Sequence, residues 1–182
     1  MPTTYKIDSS HARVGFAVKH MMVSTVRGHF NQLNGQISVE GDDPRTAAAE
    51  VTIKAGSIDT GEPNRDADLR SEGFLATETY PEISFRSTAI EPRGGTRYGV
   101  TGELTIRDVT RPVALDVEVE GPITDPWGNQ RVGVSIGGKI NRKDWGIQVN
   151  AVLETGGLVI AEEVRLEIEA EFVRVQETAA AT

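Results

Sequence analysis

Apolar and polar residues alternate along most of the chain with a period of two residues. The first such segment places Val14, Phe16 and Val18 on one face, with charged or small residues on the other. Comparable segments begin near residues 26, 47, 83, 98, 113, 132 and 164. Because successive side chains of a strand point to opposite faces of a sheet, this pattern predicts about eight half-buried strands.

One segment departs from the alternation and predicts a helix around residues 64–76. The turn Gly61-Glu62-Pro63, or Asn64 itself, can start this helix, because an Asn side chain accepts hydrogen bonds from first-turn amides. Asp66 and Arg70 are four positions apart and would pair on one helix face. Leu69 and Phe74 would contact the strands from the other face. We therefore expect the helix to act as a cap or lid on the sheet.

Eight antiparallel strands joined by short turns fit either a two-sheet sandwich or a closed barrel. Most of the predicted strands are longer than the usual five or six residues, as tilted barrel strands are. Glycines recur inside the strands, where a barrel wall bends or another group approaches closely. These features favour an all-β protein with a single eight-stranded antiparallel β-barrel over residues 1–176. Residues 177–182 are predicted to form a disordered tail.

The inward positions leave two alternatives for the barrel interior. Small residues such as Ala49, Ala55 and Ala170 are frequent there, and aromatic residues make up only 5% of the chain. A solid core and an elongated apolar cavity are both consistent with this composition. A cavity would suit a long hydrocarbon, because each buried methylene contributes roughly 0.8 kcal/mol.

Charge and composition exclude several classes of partner. The formal net charge of −8, with dispersed basic residues, argues against binding to nucleic acid or to an anionic membrane surface. The chain has no cysteine and no apolar run long enough to span a membrane. The N-terminal sequence MPTTYKID lacks the features of a signal peptide, so a cytoplasmic location is expected.

Candidate catalytic and metal-binding residues are few. The three histidines, His11, His20 and His29, fall on different strand faces, so we expect no metal site. The alternation places only His20 on the inward face, as a core imidazole or a ligand contact. No known catalytic motif is present, so we expect no catalytic residue, no cofactor and no enzymatic activity.

Two residues near the end of a strand are candidates for the barrel interior. Arg142 is in phase with inward Ile136 and Ile140, and a buried arginine normally needs an anionic partner. We expect an ion pair with Asp66 or Glu72 of the helix, with the head group of a ligand as the alternative. Trp145 follows closely and is expected to anchor the barrel end.

The chain resembles the YceI-like family in motifs that occur in the same order along nearly its whole length. These motifs are Tyr5-Lys6-Ile7-Asp8, Val14-Gly15-Phe16-Ala17-Val18-Lys19-His20, Val26-Arg27-Gly28-His29-Phe30, Ser57-Ile58-Asp59-Thr60-Gly61, Arg65-Asp66-Ala67-Asp68-Leu69-Arg70, Tyr80-Pro81-Glu82-Ile83-Ser84-Phe85, Val109-Thr110-Arg111-Pro112-Val113 and Asn141-Arg142-Lys143-Asp144-Trp145-Gly146-Ile147.

The resemblance implies an extended lipocalin-like barrel that binds polyisoprenoids, isoprenoid quinones or other long amphiphiles. It also implies a homodimer, and family members are often periplasmic or secreted. We therefore expect a carrier or storage protein for a polyprenyl phosphate or isoprenoid quinone. An enzyme that acts on a bound lipid or quinone with His20 as acid–base, and a ligand-free structural or stress-response barrel, are the alternatives. The expected ligand contacts are Phe16, Val18, His20, Phe30, Ile53, Phe74, Phe85, Leu104, Val134, Arg142, Trp145 and Phe172.

Overall fold

The computed structural model describes residues 2–149 and 159–176, which contain ten strands and one α-helix. The strands are β1 (Pro2–His20), β2 (Ser24–Phe30), β3 (Leu33–Glu40), β4 (Ala48–Lys54), β5 (Ile58–Asp59), β6 (Glu82–Gly94), β7 (Arg97–Ile106), β8 (Val109–Thr124), β9 (Gln130–Asn141) and β10 (Ile160–Arg174). The helix α1 is Pro63–Arg70, and short 3-10 helices occupy Pro44–Thr46, Ala55–Ser57 and Arg142–Trp145. The predicted tail, 177–182, lies outside the described residues.

Eight of these strands close into an antiparallel barrel, as predicted. The order around the barrel is β1-β3-β4-β6-β7-β8-β9-β10, and β10 pairs with β1 to complete the ring. The apolar side chains that alternate along the eight strands therefore face a common interior. The two additional strands are β2, which pairs with the C-terminal half of β1, and the short β5, which pairs with β2.

The barrel has two different ends, which we name by what lies there. The hairpin end carries the turns that join β3 to β4, β6 to β7 and β8 to β9. The helix end carries α1, which lies between β5 and β6, and the 3-10 helix Arg142–Trp145, which follows β9. Because neighbouring strands are antiparallel, every connection falls at one end or the other.

The helix α1 is shorter than predicted, and of the two predicted starts it uses the Gly61-Glu62-Pro63 turn and not Asn64. Glu62 is the N-cap, since its carboxylate accepts from the amides of Asn64 (3.2 Å) and Arg65 (2.7 Å). The helix ends at Arg70 rather than at residue 76. The C-cap residue Ser71 has an extended backbone (φ −73°, ψ 168°), so the helix does not continue past it. Residues 71–79 therefore form turns that fold back under α1.

The predicted ion pair between Asp66 and Arg70 is wrong. The Asp66 carboxylate accepts from the amide of Thr60 (2.9 Å) and from its hydroxyl. The Arg70 guanidinium donates to the carbonyls of Gly56 (2.8 Å) and Ile58 (2.9 Å). Both side chains bind the segment that precedes the helix, because its unpaired backbone groups need partners. They therefore fix α1 to the chain around β5.

Buried apolar side chains are concentrated near the helix end. The larger cluster contains Val14, Leu33, Ile53, Ala55, Ile83, Ile106, Val113, Leu115, Trp145 and Ile147. A smaller cluster, nearer the hairpin end, contains Val134, Ala170 and Phe172. The barrel is thus packed mainly at the end that α1 covers.

Candidate functional site

The interior of the barrel is a cavity of about 920 Å³ lined by residues from all eight barrel strands. This volume lies in the upper part of the range of small-molecule sites. The lining is overwhelmingly apolar, and its titratable members among the described residues are Tyr5, Asp42, Tyr98, Arg142 and Arg174. Of the two alternatives for the interior, the solid core is therefore wrong.

Inward side chains in the middle of the wall remain only half-buried. Phe16, Phe85, Leu104 and Leu166 point inward from four strands and yet keep part of their surface accessible. In a close-packed interior such side chains would be covered completely. Their exposed surface faces the cavity, so it is available to an apolar ligand.

Two phenylalanine rings lie flat against the wall because a glycine is beside each of them. A Cβ atom added to Gly28 would come within 2.5 Å of the Phe16 ring, and one added to Gly102 within 2.4 Å of the Phe85 ring. Neither distance is compatible with a side chain at the glycine. The rings therefore occupy space over the neighbouring strand and leave the centre of the barrel open.

At the helix end, side chains from outside the strands contribute to the cavity lining. Leu69, Phe74 and Leu75, from α1 and the turns after it, form part of the lining there. Trp145 lies nearby, with 2% of its surface exposed, and its indole Nε1 donates to the carbonyl of Leu104 (2.9 Å). The expected role of Trp145 as an anchor of the barrel end agrees with this contact.

Arg142 lies in the cavity wall at the helix end with 6% of its surface exposed. The predicted ion pair with Asp66 or Glu72 is wrong. The guanidinium instead donates to the carbonyls of Ile147 (2.6 Å), Ala161 (2.9 Å) and Ile160 (3.2 Å). Burial lowers the pKa of Arg142, with the charge of Glu162 opposing this effect. Arg142 thus joins the two sides of the connection between β9 and β10.

The hairpin end of the cavity is bounded by exposed turns. Gly41, Asp42 and Pro44 lie on one side of this rim, and Gly95, Thr96, Gly121 and Pro122 complete much of it. Arg174 and Gln130 add a polar contact, with Arg174 Nη1 donating to Gln130 Oε1 (3.0 Å). The sequence interpretation missed Arg174, although the alternation of β10 reaches it two positions after Phe172.

Ten of the twelve expected contact residues line the cavity. They are Phe16, Val18, Phe30, Ile53, Phe74, Phe85, Leu104, Val134, Arg142 and Phe172. His20 and Trp145 are not among the lining residues. His20 pairs with Ser24 at the last step of the β1–β2 ladder and with Ile160 at the start of β10. It therefore lies at the very end of β1, beyond the part of that strand that lines the cavity.

A charged cluster lies on the outer surface, away from the cavity lining. Ligand atoms of Asp8, His11 and Glu171 lie within 4.8 Å of one another, as a metal site would require. However, Arg131 Nη1 already donates to Asp8 Oδ2 (2.9 Å) and Glu171 Oε2 (3.1 Å). Hydrogen bonds from Ser10 and Arg131 hold the pKa of Asp8 well below its usual range. Because the guanidinium already donates to both carboxylates, we assign no metal to this cluster.

Comparison with known proteins agrees with the barrel fold. The YceI-like domain model matches residues 5–172. A UPF0312 protein from Photorhabdus laumondii is 39% identical over 152 residues, which cover 82% of this chain and 79% of the relative.

Two solved structures share the fold. BcnA from Burkholderia cenocepacia superposes with a TM-score of 0.79 at 24% identity, covering 91% of this chain and 98% of BcnA. A polyisoprenoid-binding domain from Saccharophagus degradans, implicated in plant cell wall breakdown, has a TM-score of 0.73 at 17% identity, with 94% and 98% coverage. None of the helices among the described residues has the length and apolar character needed to cross a bilayer. The match across nearly the whole barrel shows that this chain belongs to the YceI-like domain family.

Proposed function

We propose that this protein binds a long isoprenoid, or a similar long amphiphile, inside the barrel and serves as its carrier or store. The observation that carries the proposal is one apolar cavity of about 920 Å³, lined by all eight barrel strands and by α1 with the turns after it, with exposed turns at the hairpin end. A cavity of this kind suits a long chain that enters with its apolar tail first.

The apolar lining is sufficient to bind such a ligand. Roughly 20 buried methylene groups would contribute about 16 kcal/mol of gross transfer free energy. This is close to the ceiling of about 18–21 kcal/mol for non-covalent affinities, before the entropy lost on ordering the ligand is subtracted. Affinity therefore needs no polar contact inside the barrel, and polar groups serve to orient the ligand.

The polar head group is best accommodated at the rim of the hairpin end. Arg142 was the expected head-group contact, but three of its donors already bind backbone carbonyls. A phosphate or quinone head at the helix end would also lose its hydration. At the rim, Arg174 and Gln130 offer polar atoms beside water. We therefore place the head group near Arg174 and the tail toward Phe74.

A binding role is favoured over catalysis. His20 was the candidate acid–base residue of the enzymatic alternative, and it does not line the cavity. The related fold from Saccharophagus degradans is described as a polyisoprenoid-binding domain. That description supports the ligand class proposed here.

Organic extraction of the purified protein followed by mass spectrometry tests the proposal. We expect an isoprenoid or other long-chain amphiphile at a stoichiometry near one per chain, and uptake of an added polyprenol by protein from which lipid has been removed. Failure to find any lipid, together with no uptake, would reject the proposal. Light scattering on the same samples tests the homodimer implied by the family.

A matched pair of variants places the ligand in the barrel. Ala49 lines the cavity, whereas Ala48, its neighbour on β4, is exposed on the outer face. Ala49→Trp should block uptake of the polyprenol, because the indole fills part of the cavity, and Ala48→Trp should leave uptake unchanged. Equal uptake by both folded variants would show that the ligand binds elsewhere.

A further inference from the structure

We propose that the loop between β8 and β9 docks the hairpin end of the barrel on the surface of a zwitterionic lipid bilayer. Two large apolar side chains of this segment are exposed, Trp127 with 79% and Ile123 with 64% of its surface accessible. Exposed side chains of this size are uncommon away from interaction surfaces when they occur together. Tryptophan is also enriched where membranes meet water, since its ring is apolar and its N–H is polar.

The position of the loop connects it with the cavity. Gly121 and Pro122, at the end of β8, and Gln130, at the start of β9, all line the cavity at its rim. Ile123 and Trp127 lie between these residues in the chain, so the loop projects from the edge of the opening. A surface that covers this loop therefore faces the route by which a ligand enters or leaves.

The loop is held in shape by one carboxylate. Asp125 Oδ1 accepts from the amides of Trp127 (2.9 Å) and Asn129 (2.8 Å). Asp125 Oδ2 accepts from Arg131 Nε (2.8 Å) and from the Asn129 side chain (3.3 Å). Only 6% of the Asp125 side chain is exposed. Because these hydrogen bonds already order the turn, Trp127 can contact a surface without any further ordering of the loop.

The same contacts keep the one charged group of the loop buried and hydrogen-bonded. Asp125 is the only ionisable residue between Thr124 and Asn129, and its carboxylate accepts from Arg131, which it shares with Asp8 and Glu171. Because Asp125 is already withdrawn from water, insertion of Trp127 at the level of lipid head groups would not strip a further charge of its hydration. The apolar part of the contact can then contribute its full transfer free energy.

A bilayer fits this surface better than a second copy of the chain does. A second copy placed on the loop would cover the opening of the cavity, whereas a bilayer is itself the solvent of long isoprenoids. The net charge of −8 and the exposed carboxylate of Asp42 across the rim oppose an anionic surface. The occupant is therefore a zwitterionic bilayer that the loop contacts through apolar side chains. This inference rests on the proposed function for its purpose, although docking is measured without any ligand.

The test is flotation of the protein with phosphatidylcholine vesicles, combined with quenching of tryptophan emission by brominated phosphatidylcholine. Trp127 is the exposed tryptophan and Trp145 the buried one, so quenching in the wild type should come from Trp127. Trp127→Ala should lower vesicle partitioning by about tenfold or more, because a buried aromatic side chain contributes roughly 1.5–3 kcal/mol. Ile123→Ser should give a smaller loss in the same direction. Replacing phosphatidylcholine with phosphatidylglycerol should weaken binding.

Met22→Ser is the matched control, because Met22 is 59% exposed on the turn after β1 at the helix end. It should leave partitioning within about twofold of the wild type. The proposal is overturned if the wild type does not float, if Met22→Ser loses as much binding as Trp127→Ala, or if binding requires anionic lipid. It is also overturned if Trp127→Ala changes the oligomeric state and not vesicle binding, since the loop would then be a contact between copies.

The Ala49→Trp variant separates this proposal from the proposed function. With its cavity obstructed, that protein should still float with vesicles while it fails to take up polyprenol. Flotation by a protein that never contains lipid would leave docking in place and reject the lipid-binding role. Uptake of lipid from ethanol solution by a protein that does not float with vesicles would support the lipid-binding role and reject docking.

Discussion

The two ends of the barrel are built in different ways. At the helix end, Trp145 and Arg142 are buried and donate to backbone carbonyls, and the turns after α1 contribute to the cavity lining. At the hairpin end, the cavity meets exposed turns whose hydrogen bonds lie within each turn. The comparison indicates that the contacts that stabilise the fold and the route of ligand access lie at opposite ends of the barrel. Side chains at the helix end should therefore affect folding, and side chains at the hairpin end should affect ligand exchange.

The two tryptophans should differ most in the free energy of unfolding that is lost when each is replaced by alanine. Trp145→Ala should lower the free energy of unfolding by about 3–5 kcal/mol, because it removes a buried ring and leaves the Leu104 carbonyl without its donor. Trp127→Ala should change it by no more than about 0.5 kcal/mol, because Trp127 is exposed. Urea denaturation monitored by circular dichroism measures both values. Similar losses in the two variants would contradict the separation of the ends.

The two arginines of the cavity lining should show a similar contrast. Arg142→Met should cost roughly 2–3 kcal/mol, since three buried carbonyls lose a charged donor. Arg174→Met should cost less than about 1 kcal/mol, because its contact with Gln130 is exposed to solvent. Denaturation midpoints give the first comparison, and the dissociation rate of a bound polyprenyl phosphate gives the second. The Arg174 variant should release that ligand faster.

A substitution in the barrel wall between the two ends should have a smaller effect on stability. Gly102→Ala should destabilise the barrel by about 1–3 kcal/mol, because the new Cβ would overlap the Phe85 ring. Gly133→Ala is the control, since a Cβ there would meet nothing within 4 Å. The displaced Phe85 ring should also reduce polyprenol uptake. Unchanged stability in the Gly102 variant would show that the ring moves freely away from the glycine.

The smallest effect concerns the pH response of the hairpin end. The Arg131 guanidinium lowers the pKa of Asp125 from 3.8 to about 2, although partial burial opposes the shift. Because the folded pKa lies below the unfolded one, Asp125 stabilises the fold at neutral pH, and this contribution is lost as the pH falls from about 4 towards 2. The difference in thermal midpoint between the wild type and Asp125→Asn should therefore shrink across this range. A constant difference would mean that Asp125 acts without its charge.

The fold was largely predictable because a period of two residues reports directly on strands. Closure of eight strands follows from their number and length, and it is observed. The bounds of α1 were less predictable, because the helix ends where the backbone of Ser71 becomes extended. The sequence after Arg70 contains no proline before Pro81 that would mark this end.

The site residues were predictable where their position follows from the alternation of a strand. They were not predictable where their role depends on hydrogen-bond partners elsewhere in the chain. Of the ten expected contacts that line the cavity, eight were found because they lie on the inward face of strands, whereas Phe74 and Arg142 lie outside the strands. Arg142 was correctly expected to point inward, but its carbonyl partners belong to a distant connection and leave no trace in spacing. His20 was placed on the inward face by counting, but it is the last residue of β1 and is not among the residues that line the cavity.

The glycines beside the phenylalanine rings have a consequence for how ligand preference is encoded. Gly28, Gly102 and Gly138 do not line the cavity, yet each is covered by a neighbouring side chain that a Cβ there would displace. The bore of the tube is therefore determined partly by residues that no ligand touches. A single substitution behind the wall could change which chains fit, while every residue in contact with the ligand stays the same.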